Sequence, residues 1–198
     1  MELYYAEGPQ IVRQLRAAGY PVFLDLKLHD IPNTVRKSMH VLSGLGVNMV
    51  NLHAAGTRQM MEAAREGLGD DTLLLAVTML TSTSARAMQE ELLIGQTMED
   101  TVLHYAKNAK AAGCDGVVCS PLEARAVHQA CGADYVTVTP GVRFAGEDVG
   151  DQVRVTTPAR AGELGSDFIV MGRPITQAED PVEAWHRARI ELNQLHSS

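Results

Sequence analysis

A regular alternation of short apolar runs with longer amphipathic ones most constrains what this chain can fold into. Runs at 21–27, 47–53, 73–79, 116–119, 135–139 and 167–171 are rich in Leu, Val or Ile. Several are apolar on both faces, as strands of a parallel sheet must be when helices cover both sides. Helical patterns lie between them at 34–45, 58–67, 98–112, 122–130, 158–164 and 180–195, and another opens the chain at 5–18. Thr157-Pro158 and Asp180-Pro181 each place a side-chain acceptor before a Pro at the first helical position. Gly46, Gly113 and Gly165 fall where helices should stop. Repeated βα units imply a parallel sheet, either doubly wound or closed into a barrel. No G-x-G-x-x-G follows a strand, and the crossovers are short and uniform, which favours the (β/α)8 barrel. A complete barrel has eight strands. Six are read here, so the other two would have to lie upstream of Met1.

The first apolar run carries charge. Asp25 and Lys27 stand two apart, and Asp30 follows three residues later. Residues i and i+2 of a strand share a face. Phe23, Asp25 and Lys27 are therefore expected on one face, with Leu24, Leu26 and Leu28 on the other, helix-covered one. A charged pair at a strand's carboxyl end is where α/β enzymes keep their chemistry. A plain salt bridge closing the strand is the alternative. It accounts less well for the third charge and for the anion-type loops downstream.

Two such loops follow later strands. Residues 137–143 run into a Pro-Gly turn and then Arg143, and 169–175 run into Gly172, Arg173 and a Pro-led turn. Backbone N–H groups and a guanidinium in that order suit an anion. In barrels the loops after the last two strands form the usual phosphate site. The Gly-containing polar segment 144–154 between them reads as a mobile lid. Thr81 lies in a hydroxyl-rich stretch, Leu80 to Ser84, suited either to contacting a polar ring or to capping the segment that follows. His53 also ends a strand and is read as structural.

Composition excludes several classes. A net charge of −7 argues against nucleic acid or an anionic membrane as partner. No apolar run approaches transmembrane length and no signal peptide opens the chain, so a cytoplasmic protein is expected. Cys114, Cys119 and Cys131 are an odd number without C-x-x-C spacing and read as reduced, buried thiols. Neither a transition-metal cluster nor a nucleotide-cofactor motif is present.

Taken together, Asp25-x-Lys27-x-x-Asp30 with Thr34, Leu80-Thr81-Ser82, Pro140-Gly141-Val142-Arg143, Gln152-Val153-Arg154 and Gly172-Arg173 resemble, in this order, the orotidine 5′-phosphate decarboxylase family in its bacterial form. The resemblance spans essentially the whole chain. It implies a homodimeric (β/α)8 barrel that converts orotidine 5′-phosphate to uridine 5′-phosphate (UMP) and CO2, the last step of de novo pyrimidine synthesis, without metal or cofactor. It implies Lys27 as the acid that protonates C6 of the pyrimidine, and Asp25 as the carboxylate beside the substrate carboxylate. Asp30 and Thr34 would reach into the partner's site. Thr81 would contact the base. Gln152, Arg143, Arg173 and the backbone N–H of Gly172 would hold the phosphate. The family's first strand, first helix and most of its second strand have no counterpart here. Residues 1–198 are thus expected to be a single barrel domain, incomplete at its N-terminus.

The chemistry suits those roles. Losing CO2 leaves a carbanion at C6, which a nearby ammonium stabilises. Carboxylates on both sides would surround that ammonium with opposite charge. Phosphate binding, remote from the reacting carbon, can supply energy for positioning. Two alternatives stand beside this reading. One is a superfamily sugar-phosphate lyase of the hexulose-phosphate synthase or ketogulonate-phosphate decarboxylase type. Those share D-x-K-x-x-D but use magnesium and lack the long lid. The other is a non-catalytic phosphate-binding remnant.

Overall fold

The apolar runs form six parallel strands among the residues that the computed structural model describes, 1–146 and 155–193. They are β1 (Phe23–Leu28), β2 (Met49–His53), β3 (Leu73–Val77), β4 (Gly116–Val118), β5 (Val136–Thr139) and β6 (Phe168–Ile169). Their order in the sheet is their order in the chain. That is the arrangement right-handed βα crossovers produce when each strand is laid beside the last. The chain divides into two compact units, residues 1–78 with 105–117, and residues 79–104 with 118–198.

In the first unit β1, β2 and β3 pair in parallel, with Met49 opposite both Phe23 and Leu73. Leu24 and Leu26 are buried, as their alternation requires. The helices are α1 (Glu2–Glu7), α2 (Pro9–Ala17), α3 (Pro32–Ser43) and α4 (Thr57–Gly67). Met39, Val50, Leu52, Met60, Met61, Leu74 and Leu75 are fully buried among them. Each such side chain contributes roughly 1.5–3 kcal/mol through burial. α3 and α4 approach closely at Gly67, where a β-carbon would meet the Arg36 carbonyl.

The strands of this unit are pinned at their amino ends by side chains. Asn48 Oδ1 accepts from Val22 N at 2.9 Å, and Thr72 Oγ1 donates to Val47 O at 3.0 Å. Asp115 Oδ2 accepts from Leu74 N at 2.7 Å and from Arg65 Nη1 at 3.0 Å. The bonds to Val22 N, Val47 O and Leu74 N each satisfy a backbone group just before or near the start of a strand.

The second unit uses the same device. Asp167 Oδ2 accepts from Thr137 N at 2.7 Å and from Thr137 Oγ1 at 2.9 Å, with His128 Nε2 at 3.2 Å. Its helices include α5 (Ala85–Glu90), α7 (Pro121–Cys131), α8 (Pro158–Glu163), α9 (Arg173–Thr176) and α10 (Pro181–Asn193); α6 (Met98–Ala111) precedes β4. Ser120 and Glu123 form a reciprocal capping box on α7, and Thr157 and Asp180 cap α8 and α10 as their positions before Pro predict.

Boundaries differ from expectation in a few places. The opening helix breaks at Gly8, whose φ of +66° no helix accommodates, so 5–18 becomes parts of α1 and α2. Residues 21 and 22 stay outside β1. α9, expected as a turn, makes a short helix, and α5 adds a short helix where no element was expected. No helix among the described residues is long and apolar enough to cross a membrane.

Candidate active site

β1 ends irregularly. Its pairing with β2 shifts register between Leu24 and Leu28, and Lys27 sits inside that shift with φ +56°. A left-handed conformation costs a non-glycine residue roughly 1–2 kcal/mol. Strain of this kind persists only where its surroundings impose it, and it concentrates at functional sites. The group that meets this backbone is Asn51, on β2 and 1% exposed. Its Oδ1 accepts from Lys27 N at 2.8 Å, while its Nδ2 donates to Asp25 Oδ1 at 2.7 Å. The Lys27 ammonium meets both oxygens of Asp25, at 2.6 and 2.8 Å. Both charged side chains are about one-third exposed, so the pair is open to a ligand.

Asp30 and Thr34 lie beyond this cluster. Both are exposed, and Asp30 Oδ1 accepts from Ile31 N at 2.7 Å. Among the described residues the ion pair of Lys27 is with Asp25, and Asp30 is not drawn into it. His53, at the end of β2, packs its ring 5.7 Å from that of His29. Burial lowers the His53 pKa, and the charges of His29 and Lys27 lower it further, with Asp25 opposing.

The second unit holds the other predicted residues. Thr81 is buried in the turn before α5, and the capping role falls to Ser84, whose side chain accepts from Ala87 N at 3.1 Å. Val142 bridges Thr156, and Arg143 N donates to Thr156 O at 2.9 Å, closing the base of the loop between them. Arg143 Nη1 donates to Val142 O at 2.8 Å. Phe144, read as the first residue of a mobile lid, is instead buried under the Arg187 guanidinium, 4.1 Å from the ring centroid. Gly172 precedes α9, and Arg173 opens that helix on the exposed surface. Gln152 and Arg154 lie outside the described residues. A cleft of about 580 Å³ opens beside Phe144, Pro174, Asp180 and Arg187, and among the described residues none of the predicted site residues lines it.

All three cysteines are buried and outside any disulfide, and burial, reinforced by Asp115, pushes the Cys114 thiol up to about 12. Among the described residues no three His, Cys, Asp or Glu side chains gather as a metal site would require. Asn51 is the residue sequence reasoning passed over. Its signal was an amide flanked by Val50 and Leu52 inside a buried strand, a place where a polar group needs a dedicated partner.

Parallel βα units with a carboxylate–lysine pair at a strand's carboxyl end define an enzyme of the β/α-barrel class. A family model described as Orotidine 5′-phosphate decarboxylase / HUMPS family matches residues 1–188, and the chain belongs to that family. It is 59% identical over 194 residues to an orotidine 5′-phosphate decarboxylase of Streptococcus pneumoniae, covering 98% of this chain and 83% of the relative. It is 56% identical to that of Streptococcus thermophilus, over 98% of this chain and 84% of the relative. Among solved structures, orotidine 5′-phosphate decarboxylase from Lactobacillus acidophilus superposes with a TM-score of 0.86 at 43% identity, over 98% of this chain and 84% of the other. The six strands thus belong to the TIM-barrel fold of those enzymes, and the chain is shorter than the full barrel.

Proposed function

We propose that this protein is a carboxy-lyase that converts orotidine 5′-phosphate to UMP and CO2 in pyrimidine synthesis. The observation that carries this reading is the Asp25–Lys27 pair on the strained end of β1, in a chain whose close relatives bear that enzyme's name. The C6–carboxylate bond breaks and its electron pair stays on C6. A proton from Lys27 Nζ then passes to C6 as CO2 departs, and solvent restores the ammonium. The positive charge stabilises the carbanion before the proton moves. Asp25 lies beside the substrate carboxylate and holds the ammonium on its bearing.

Thr81 contacts the base. Arg143, Gln152, Arg173 and the Gly172 N–H hold the phosphate, whose binding energy serves positioning. The enzyme acts as a homodimer in the cytoplasm, with Asp30 and Thr34 completing the partner's site. The exposure of Asp30 and Thr34 supports this, as does the Asp30 carboxylate accepting from Ile31 N while Lys27 pairs with Asp25. The test is an assay of the purified protein with orotidine 5′-phosphate, following the loss of the substrate chromophore, beside hexulose 6-phosphate with magnesium. Turnover of the nucleotide alone is expected. Turnover of the sugar phosphate alone, or of neither, would overturn the reading.

A further inference from the structure

We infer that Asn51 is a positioning residue for the proton donor, acting through both Lys27 and Asp25. The inference rests on the decarboxylase reading for its kinetic consequence and on geometry alone for its structural one.

In a regular parallel pair, residues alternate in facing the neighbouring strand; Val22, whose carbonyl accepts from Met49 N, faces β2, so the Lys27 N–H would point away from it. The register shift and the positive φ of Lys27 accompany a turn of that N–H toward β2. The Asn51 side chain accepts it there, at 2.8 Å. The same amide donates to Asp25 Oδ1 at 2.7 Å, and that oxygen also receives the Lys27 ammonium at 2.6 Å. One buried carboxamide therefore fixes the backbone and the counter-ion of a single lysine. Asparagine is the shortest side chain that offers an acceptor and a donor in one planar group; glutamine and neutral histidine, which also do, are larger. Remove it, and a buried N–H and a carboxylate oxygen each lose a partner, while the left-handed turn at Lys27 loses what offsets its strain. Lys27 then relaxes toward extended backbone, and the residues after it leave the strand on another course.

An amide that merely steadied the sheet would have a different signature. Its loss would lower stability and leave catalysis by the folded fraction intact. The test compares wild type with Asn51→Leu, which keeps the volume and removes both bonds, and with Asn51→Asp, which keeps an acceptor for Lys27 N but offers Asp25 no donor when ionised. In Asn51→Leu, kcat is expected to fall about 100-fold, as for a misplaced catalytic group. KM and UMP affinity should stay within about threefold, because the loss is confined to the chemical step. A crystal structure of that variant should show Lys27 at negative φ with its Asp25 pair broken. Asn51→Asp should keep the positive φ and still lose kcat; it serves as the readout if the Leu variant does not fold. Wild-type kcat in the folded fraction of either variant, or an unchanged Lys27 backbone and ion pair in Asn51→Leu, would overturn the inference. An inactive wild type would count against the decarboxylase reading alone, and the Lys27 backbone in the variant would then decide the role of Asn51.

Discussion

Lys27 Nζ lies 2.6 Å and 2.8 Å from the two oxygens of Asp25, a chelate that leaves the ammonium little freedom to swing away. The pair is part-exposed, so its worth lies in orientation more than in stability. Lys27→Ala should lower kcat by about 10²–10⁴-fold, the range for a lost proton donor, while UMP binding stays nearly intact. Lys27→Arg should not restore turnover, because a guanidinium does not give up its proton in a protein. Steady-state kinetics with product titration would check both, and near-normal kcat in Lys27→Ala would remove Lys27 from the mechanism.

Arg173 opens the short helix α9 directly after Gly172. A charge-assisted bond to phosphate is worth roughly 1.5–3 kcal/mol, so Arg173→Ala should weaken UMP binding by about one to two orders of magnitude. Uridine, which lacks the phosphate, should bind the variant and the wild type alike. Calorimetry with the two ligands separates the cases, and equal losses would show that Arg173 touches something other than phosphate.

Asp30 and Thr34 sit exposed beyond β1, away from the Lys27 ion pair. If they complete a partner's site, Asp30→Ala and Lys27→Ala are each inactive alone but complementary when mixed. A heterodimer of the two holds one site built from an intact Lys27 and an intact Asp30. Activity should therefore return toward about one-quarter of the wild-type value, since half the dimers are mixed and half their sites are whole. Mixed dimers verified by mass spectrometry yet inactive would refute the shared site.

Six strands were legible in the sequence because a buried parallel strand leaves a short, Leu- or β-branched-rich apolar run, too short for a helix and set between longer amphipathic segments. The Pro-led helix starts at 158 and 181 were legible for a similar reason, since a cap and a Pro constrain the same few bonds. What escaped depends on contacts between distant residues. The left-handed Lys27 follows from Asn51, 24 positions away, and no local preference of lysine announces it. Phe144 looked like lid sequence among glycines and acids, yet its ring is buried by Arg187 from α10. Asp30 looked like a partner for Lys27 on spacing alone. The strand ends before it, and the turn gives its carboxylate to Ile31 N.

Burial, and after it the neighbouring His29 and Lys27, lower the His53 pKa from its ordinary value, with Asp25 opposing. A histidine whose folded pKa is depressed binds fewer protons folded than unfolded, so stability falls as pH drops. The contribution is complete above the unfolded value of about 6.5 and is lost as pH descends through the window below it. His53→Gln should flatten this part of the curve. Melting temperatures of wild type and variant at pH 7.5 and 5.5 would show it as a smaller acid-side drop in the variant. Parallel curves would mean that His53 protonates as freely folded as unfolded.

Asp115 gives the clearest contrast between the two ends of the strands. Its Oδ2 accepts from Leu74 N at 2.7 Å and from Arg65 Nη1 at 3.0 Å, at the amino end of β3. Residues at that end of a barrel serve stability, while the chemistry sits at the carboxyl end. Asp115→Ala strands the Leu74 N–H and leaves the Arg65 guanidinium only its bonds to the Leu68 and Gly69 carbonyls, at a cost of about 1–3 kcal/mol. For a chain of this size that lowers the melting temperature by about 2–12 °C. Asp115→Asn keeps an acceptor for Leu74 N and should lose less. Both variants, assayed well below their melting temperatures, should retain wild-type kcat and KM. A variant of Asp115 that melts normally but decarboxylates slowly would break the division of labour between the two strand ends.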